Sequence, residues 1–136
     1  MDKKKVVFVC THNAGKSRLA EAYLREIAGD RLESTSAGTE PSDSANPAAV
    51  AAGSRAAIEL REGPGVRLTP EVAAGADLVV TFGCGVDGSV GDVPVEDWAL
   101  VDDDGKPLRD YDQIRDAIKG RVENLADGLT DGGETL

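Results

Sequence analysis

Cysteine is scarce in this 136-residue chain: there are two, Cys10 and Cys84. A secreted domain held together by disulfides would carry more. No C-x-x-C pair occurs, so neither a zinc ribbon nor a thioredoxin-type motif is present. With one histidine, His12, a structural metal site lacks ligands, and none is expected. Aromatic residues make up only 4% of the chain, so the core must be built from Val, Leu, Ile and Ala. Long apolar runs are missing too. None approaches the roughly 18–20 residues that span a bilayer. Lys3-Lys4-Lys5 resembles the start of a signal peptide, but the apolar run behind it is only Val6 to Val9. These absences lead to the expectation of a soluble cytoplasmic protein with no membrane partner.

Positive charge is also in short supply. Fifteen Lys and Arg face 25 Asp and Glu, a formal net charge of −10. A nucleic-acid or anionic-membrane binder should be basic, so both partners are excluded. Any anion site in such a chain must make its own local field, from backbone N–H groups and a few cations. Asp outnumbers Glu, and Arg outnumbers Lys. That mix suits a host with a salty cytoplasm, where surface repulsion is screened, and equally an ordinary acidic protein.

What is present is an alternation of short apolar runs and helical patterns. Residues 5–9 form a strand-length run rich in β-branched residues. Residues 15–28 read as a helix, with Leu19, Tyr23, Leu24 and Ile27 at helical spacing and Gly29 to stop it. Residues 31–36 form a second strand, ending in Ala37-Gly38-Thr39. Pro47 suits the first position of a helix running to about Leu60. Residues 66–68 are a short extended piece, and Thr69-Pro70-Glu71 starts a short helix. Residues 76–82 read as a buried strand. A Gly-rich loop covers 83–92, and 93–98 reads as an edge strand that Pro94 permits. A final helix covers 108–125, with Ile114, Ile118, Val122 and Leu125 on one stripe. The polar tail 128–136 reads as loose. The expected fold is one α/β domain spanning 1–136: a three-layer sandwich with a four-stranded parallel sheet, flavodoxin-like in type. Such sheets bind ligands at the carboxyl ends of their strands, where Cys10, the Gly83-Cys84 segment and loop 99–107 converge.

The segment Cys10-Thr11-His12-Asn13-Ala14-Gly15-Lys16-Ser17 joins the first strand to the first helix. A strand, a turn and a helix N-terminus in series make an anion cradle, because unpaired N–H groups and the positive helix end point at one spot. Gly15 lets the backbone approach closely. The same field favours a thiolate over a thiol at Cys10. A thiolate beside a bound oxyanion can attack its central atom. The window also matches G-x-x-x-x-G-K-S except that Cys10 replaces the first Gly. A nucleotide-binding P-loop protein, however, needs a larger sheet and an acidic magnesium ligand on a neighbouring strand.

The sequence resembles the low-molecular-weight tyrosine phosphatase superfamily and, within it, the arsenate reductases that share the phosphotyrosine phosphatase I fold. The resemblance covers residues 5 to about 126. It rests on the C-x5-basic-Ser window at Cys10, Lys16 and Ser17. Behind it come Ala20-Glu21-Ala22, Thr35-Ser36-Ala37-Gly38-Thr39, Asn46-Pro47, residues 76–81 leading into Gly83-Cys84-Gly85, and Glu96-Asp97-Trp98 before an acidic loop. The resemblance makes Cys10 the nucleophile and Asn13 the brace of the loop. Lys16 stands at the family's Arg position, and Ser17 donates to the Cys10 thiolate. Asp102 matches the carboxylic acid that protonates the leaving oxygen. Thr11, His12, Asn13, Ala14, Gly15, Lys16 and Ser17 form the substrate-binding loop.

Departures from the family pattern are visible as well. Lys16 cannot grip an oxyanion bidentately as Arg does, and Arg18 points away along the helix. Asp103, not Pro, follows Asp102, which leaves Asp103 and Asp104 as competing acids. The two tyrosines that phosphatases of the family carry after this acid are missing. That absence and the Cys84 segment favour the reductase branch. Cys84 is then either a plain loop residue or the thiol that resolves the Cys10 adduct. Thioredoxin-coupled relatives carry a third cysteine shortly after, which residues 86–91 lack. His12 reads as facing outward, and Trp98 as packing. Asn13, Glu21 and Ser36 match positions from which some reductases bind a monovalent cation. The implied activity is reduction of arsenate to arsenite with no tightly bound cofactor. A small thiol or a thiol redox protein serves as co-substrate. A phosphatase acting through phosphocysteine is the alternative, and a non-catalytic oxyanion-binding domain the third reading.

Overall fold

The computed structural model describes residues 3–83 and 90–134. Strand β1 (Lys4–Cys10) lies inside a four-stranded sheet. It pairs with β2 (Leu32–Gly38) on one side and β3 (Leu78–Thr81) on the other. Strand β4 (Val95–Asp97) completes the order β2-β1-β3-β4, and every pairing is parallel. This is the expected four-stranded parallel sheet of the flavodoxin-like class. Both faces are covered, so β1 alternates between two apolar clusters and is buried throughout Val6–Val9. Val6 and Phe8 pack into the larger cluster with α1 (Lys16–Ala28), α2 (Pro47–Arg55) and the last helix. Val7 and Val9 pack into a smaller one with Leu68, Val79, Val90 and Ala73 of the short α3 (Pro70–Ala73). The last helix, α4 (Tyr111–Glu134), lays Ile114, Ile118 and Val122 against α1 and the sheet.

Two helix boundaries differ from the sequence expectation, and one expected extended piece gains a partner. Helix α2 ends at Arg55, not near Leu60. Ala57 takes a positive φ of 58°, and the Ile58 N–H returns to the Gly53 carbonyl at 2.8 Å. Ile58 and Leu60, expected to end this helix, tuck into the core from an irregular segment instead. Residues 66–68 join the β2 edge through a bridge between Gly38 and Arg67, with Gly38 N–H donating to Val66 O at 2.7 Å. At the other end, α4 begins at Tyr111 and holds helical backbone through Glu134 across the stretch expected to be loose. Ala126 is buried there, and Leu129 packs against the core, so the apolar stripe continues past Leu125. Among the described residues no helix is long and apolar enough to cross a membrane.

Candidate active site

The turn after β1 is shaped by what its carbonyls do. Thr11 O accepts from Glu40 N–H at 2.7 Å, His12 O from Ser42 N–H at 2.9 Å and Ala14 O from Asn46 N–H at 2.8 Å. Asn13 O accepts from Arg18 Nε at 2.6 Å, and Gly15 O from Leu19 N–H at 2.9 Å. All five carbonyls are thereby taken on the outside of the loop. The backbone N–H groups of Thr11 to Gly15 have no protein acceptor among the described residues. Helix α1 starts just beyond with no side-chain cap and no acid in its first turn, so its positive end is also left for a ligand. A Cβ at Gly38 would come within 2.8 Å of both Thr11 O and Asn13 N, so only glycine lets β2 run this close beneath the loop.

Cys10 closes the first strand with its thiol half-buried at this ring of amides. Its Sγ lies 3.0 Å from Ser17 Oγ. Ser17 Oγ in turn accepts from Asn13 Nδ2 at 2.8 Å. Asn13 is fully buried and has a positive φ of 49°, the left-handed conformation that Asn tolerates better than most residues. Its second amide proton goes to Ser36 Oγ at 2.9 Å, and its Oδ1 accepts from Val66 N–H at 2.9 Å and from Arg61 at 3.1 Å. The expected brace is therefore present, with all four amide valences filled.

The cavity above the thiol is about 250 Å³, lined by Cys10, Thr11, His12, Ala14, Gly15, Lys16, Asn46, Phe82 and Tyr111. Lys16 borders it with no carboxylate partner among the described residues. His12 is at the rim, exposed, its Nδ1 2.9 Å from Glu40 O. Asn13 and Ser17 lie beneath the loop and do not face the cavity. Arg18 does point away from it. It is wholly buried and donates to Asn13 O, Arg61 O and Gly63 O at 2.6–2.8 Å. Burial, and next the neighbouring Arg61 charge, lowers its pKa from the usual range.

Asp102 is not among the residues lining this cavity. Its Oδ1 accepts from the N–H groups of Asp104 and Lys106, both at 2.9 Å, and so organises its own turn. It lines a separate cavity with Lys106, Pro107, Leu108, Arg109, Asp110 and Gln113. Cys84 lies outside the described residues. Trp98 packs in the core as expected, edge-on to Phe82 at 5.8 Å.

Two cavity walls were not anticipated from the sequence. Phe82 follows β3, and Tyr111 opens α4. The Tyr111 hydroxyl accepts from Asn46 Nδ2 at 3.3 Å and sits where a side chain on Gly15 would collide with it. Burial, and secondarily the Cys10 charge, pushes the Tyr111 phenol above its usual range, which keeps it a neutral donor. One signal for Tyr111 was available: it sits three residues before Ile114 on the α4 apolar stripe. Arg61 gave no signal, since a charge in a Gly-Pro-rich segment ordinarily reads as solvated.

Known proteins resemble this chain over most of its length. Residues 5–134 match the low molecular weight phosphotyrosine protein phosphatase family. An arsenate reductase of Staphylococcus xylosus is 34% identical over 129 residues, covering 92% of this chain and 98% of that protein. Among solved structures, a Corynebacterium glutamicum thioredoxin-dependent arsenate reductase superposes with a TM-score of 0.83 at 29% identity. It covers 96% of this chain, which spans 63% of that protein's length. An arsenate reductase in its phosphate-binding state superposes with a TM-score of 0.77 at 32% identity, covering 93% of this chain and 98% of that one.

Proposed function

Starting from the fact that the chain belongs to the low molecular weight phosphotyrosine protein phosphatase family, we propose that it reduces arsenate to arsenite with Cys10 as nucleophile. The observation that carries this reading is the thiol set in a ring of amides with no protein acceptor among the described residues, with Ser17 at 3.0 Å. The likeness over nearly full length to an arsenate reductase supports the choice of substrate.

In the proposed reaction, arsenate sits on the N–H groups of the loop with Lys16 beside it. The Cys10 thiolate attacks arsenic, and a sulfur–arsenic bond forms. One arsenic–oxygen bond breaks, and that oxygen leaves as water after taking a proton from the carboxylic acid of Asp102. The amides and Lys16 offset the charge that grows on the remaining oxygens. For this role Asp102 must leave the separate cavity that it lines in this structure, where its Oδ1 accepts from the N–H groups of Asp104 and Lys106. A second thiol, from Cys84 or from outside, then attacks Cys10 Sγ. A disulfide forms, the sulfur–arsenic bond breaks, and its electron pair stays on arsenic. Arsenic passes from the pentavalent to the trivalent state as two thiols are oxidised, and a further thiol restores Cys10.

A second reading is hydrolysis of phosphomonoesters through a phosphocysteine. It is favoured by Phe82 and Tyr111, whose rings wall the cavity where an aryl group would enter. One pair of assays separates the two. Purified protein is given arsenate with thioredoxin and its reductase, or with a small thiol, and arsenite is measured; an aryl phosphate is tested in parallel. Arsenite formed with one of these thiol systems and abolished by Cys10→Ser is expected. If Cys84 resolves the adduct, Cys84→Ser forms no arsenite and leaves arsenic bound to Cys10. If the resolving thiol is external, the change is nearly silent and Cys10 is recovered as a mixed disulfide. Brisk aryl phosphate turnover with no arsenite from any thiol system overturns the reductase reading.

A further inference from the structure

Asn13, Glu21 and Ser36, the positions matched to a monovalent cation site, do meet beneath the loop, but in a form that does not fit an ion. An ion would need Asn13 Oδ1, Ser36 Oγ and Glu21 Oε1 to open onto a shared space. The Arg61 guanidinium already serves all three. Its NH2 donates to Asn13 Oδ1 at 3.1 Å and to Ser36 Oγ at 3.2 Å, and its Nε lies 3.5 Å from Glu21 Oε1. Glu21, only 4% exposed, also meets Arg25 at 3.2 Å, and Ser36 Oγ donates to it at 2.6 Å. One buried carboxylate thus faces two guanidiniums, with Arg18 nearby bonded to the Arg61 carbonyl at 2.6 Å. A further positive ion would add like charge where none is left to neutralise.

We propose that Arg61 is a built-in cation: it takes the place of a monovalent ion at the Asn13, Ser36 and Glu21 oxygens and thereby orients Ser17 toward Cys10. The link is the Asn13 amide. With Arg61 and Val66 N–H donating to Oδ1, Nδ2 must face Ser17 and Ser36. Ser17 Oγ therefore accepts from Asn13, and its own proton is free for the Cys10 sulfur. A flipped amide would turn Oδ1 to Ser17 and take that proton away from the thiolate. The early end of α2 and the turn at Ala57 are what deliver Arg61 to this position. Arg61 is a positioning residue, acting through Asn13 and Ser17. Its role stands whichever reaction the thiol performs.

The test follows alkylation of Cys10 by iodoacetamide, and its protection by inorganic phosphate. Potassium chloride is compared with tetramethylammonium chloride at equal ionic strength, since the larger cation cannot enter a small oxygen site. The wild-type chain should react alike in both salts. Arg61→Ala should react about tenfold more slowly and bind phosphate about tenfold more weakly in tetramethylammonium, the scale of one lost charged hydrogen bond. Potassium should restore both, by occupying the vacated oxygens. Arg61→Lys should stay near wild type without potassium. If Arg61→Ala does not fold in either salt, Arg61→Lys carries the comparison, and its dependence on potassium overturns the proposal. So does a wild-type chain that responds to potassium, an Arg61→Ala chain that behaves as wild type, or one whose loss potassium does not repair.

Discussion

Lys16 offers one compact charge at a place where a guanidinium would offer a planar fork. Lys16 lines the cavity and has no carboxylate partner among the described residues, so its charge is available to a ligand. Lys16→Ala should weaken phosphate binding by roughly 1–3 kcal/mol, the range of a charged hydrogen bond. Lys16→Arg should hold or improve it. Titration calorimetry with inorganic phosphate reads both, and wild-type affinity in the Ala variant would assign the whole of binding to the backbone amides. At this scale the sequence was legible where chemistry is local. Cys10, Lys16 and Ser17 sit within eight residues, and the strand-to-helix turn that joins them can be read from their neighbours. Arg61 was not legible, and Tyr111 was legible only as part of an apolar stripe, not as a wall of the site. They reach the site across 48 residues from Asn13 and 65 from Asn46, and their roles exist only once the chain has folded back. Asp102 marks the opposite limit. Its place in the acidic loop was clear, but its carboxylate is engaged by its own turn.

Elements hold the site through their ends. Strand β3 leaves the sheet beneath the cavity, and Asp97 of β4 secures that exit. Its Oδ1 accepts from Thr81 Oγ1 at 2.5 Å and from Gly83 N–H at 2.8 Å. The Thr81 hydroxyl, and next the Gly83 amide, hold the Asp97 carboxyl below its ordinary range. A depressed folded value means that the contribution is complete above the unfolded value, about pH 4, and is lost as pH falls through the folded one. Asp97→Asn should therefore melt below wild type at pH 7, with the gap narrowing as pH falls below about 4. Melting curves from pH 7 to pH 3 check this, and a gap that stays constant with pH would deny the carboxylate its role. Helix boundaries show why some of the sequence reading shifted. No glycine or proline stands between Gly53 and Glu62, so nothing local announces that α2 ends at Arg55. The deciding feature is the return of Ile58 N–H to Gly53 O, where a Cβ on Gly53 would meet Ile58 O at 2.8 Å. Strands β1 and β3 were legible because both faces are covered, which demands the unbroken apolar runs they show.

The whole molecule carries a net charge of −10 around a site built to receive an anion. Self-repulsion among the exposed acids opposes compactness, and salt screens it. The melting temperature should therefore rise as sodium chloride is raised from about 0.01 to 1 M, over which the screening length falls from about 30 to 3 Å. A melting temperature that falls over this range would show that surface ion pairs, such as Arg55 with Asp112, outweigh the repulsion. Against that background, the outward anchoring of the five loop carbonyls sets what the molecule can discriminate. A ring whose donors are fixed before the ligand arrives works as a gauge of shape. Three oxygens of a tetrahedral anion can sit on it while the fourth stands clear, whereas planar nitrate or carbonate would leave donors unmatched. The gauge is blind to the atom at the centre: arsenic and phosphorus present nearly the same outline to amides that touch only oxygen. For a chain that reduces arsenate, selection then falls to the reaction and not to the fit. On the proposed mechanism, phosphate would occupy the ring as a competitor that the thiol cannot reduce, and throughput would depend on the ratio of the two anions rather than on arsenate alone.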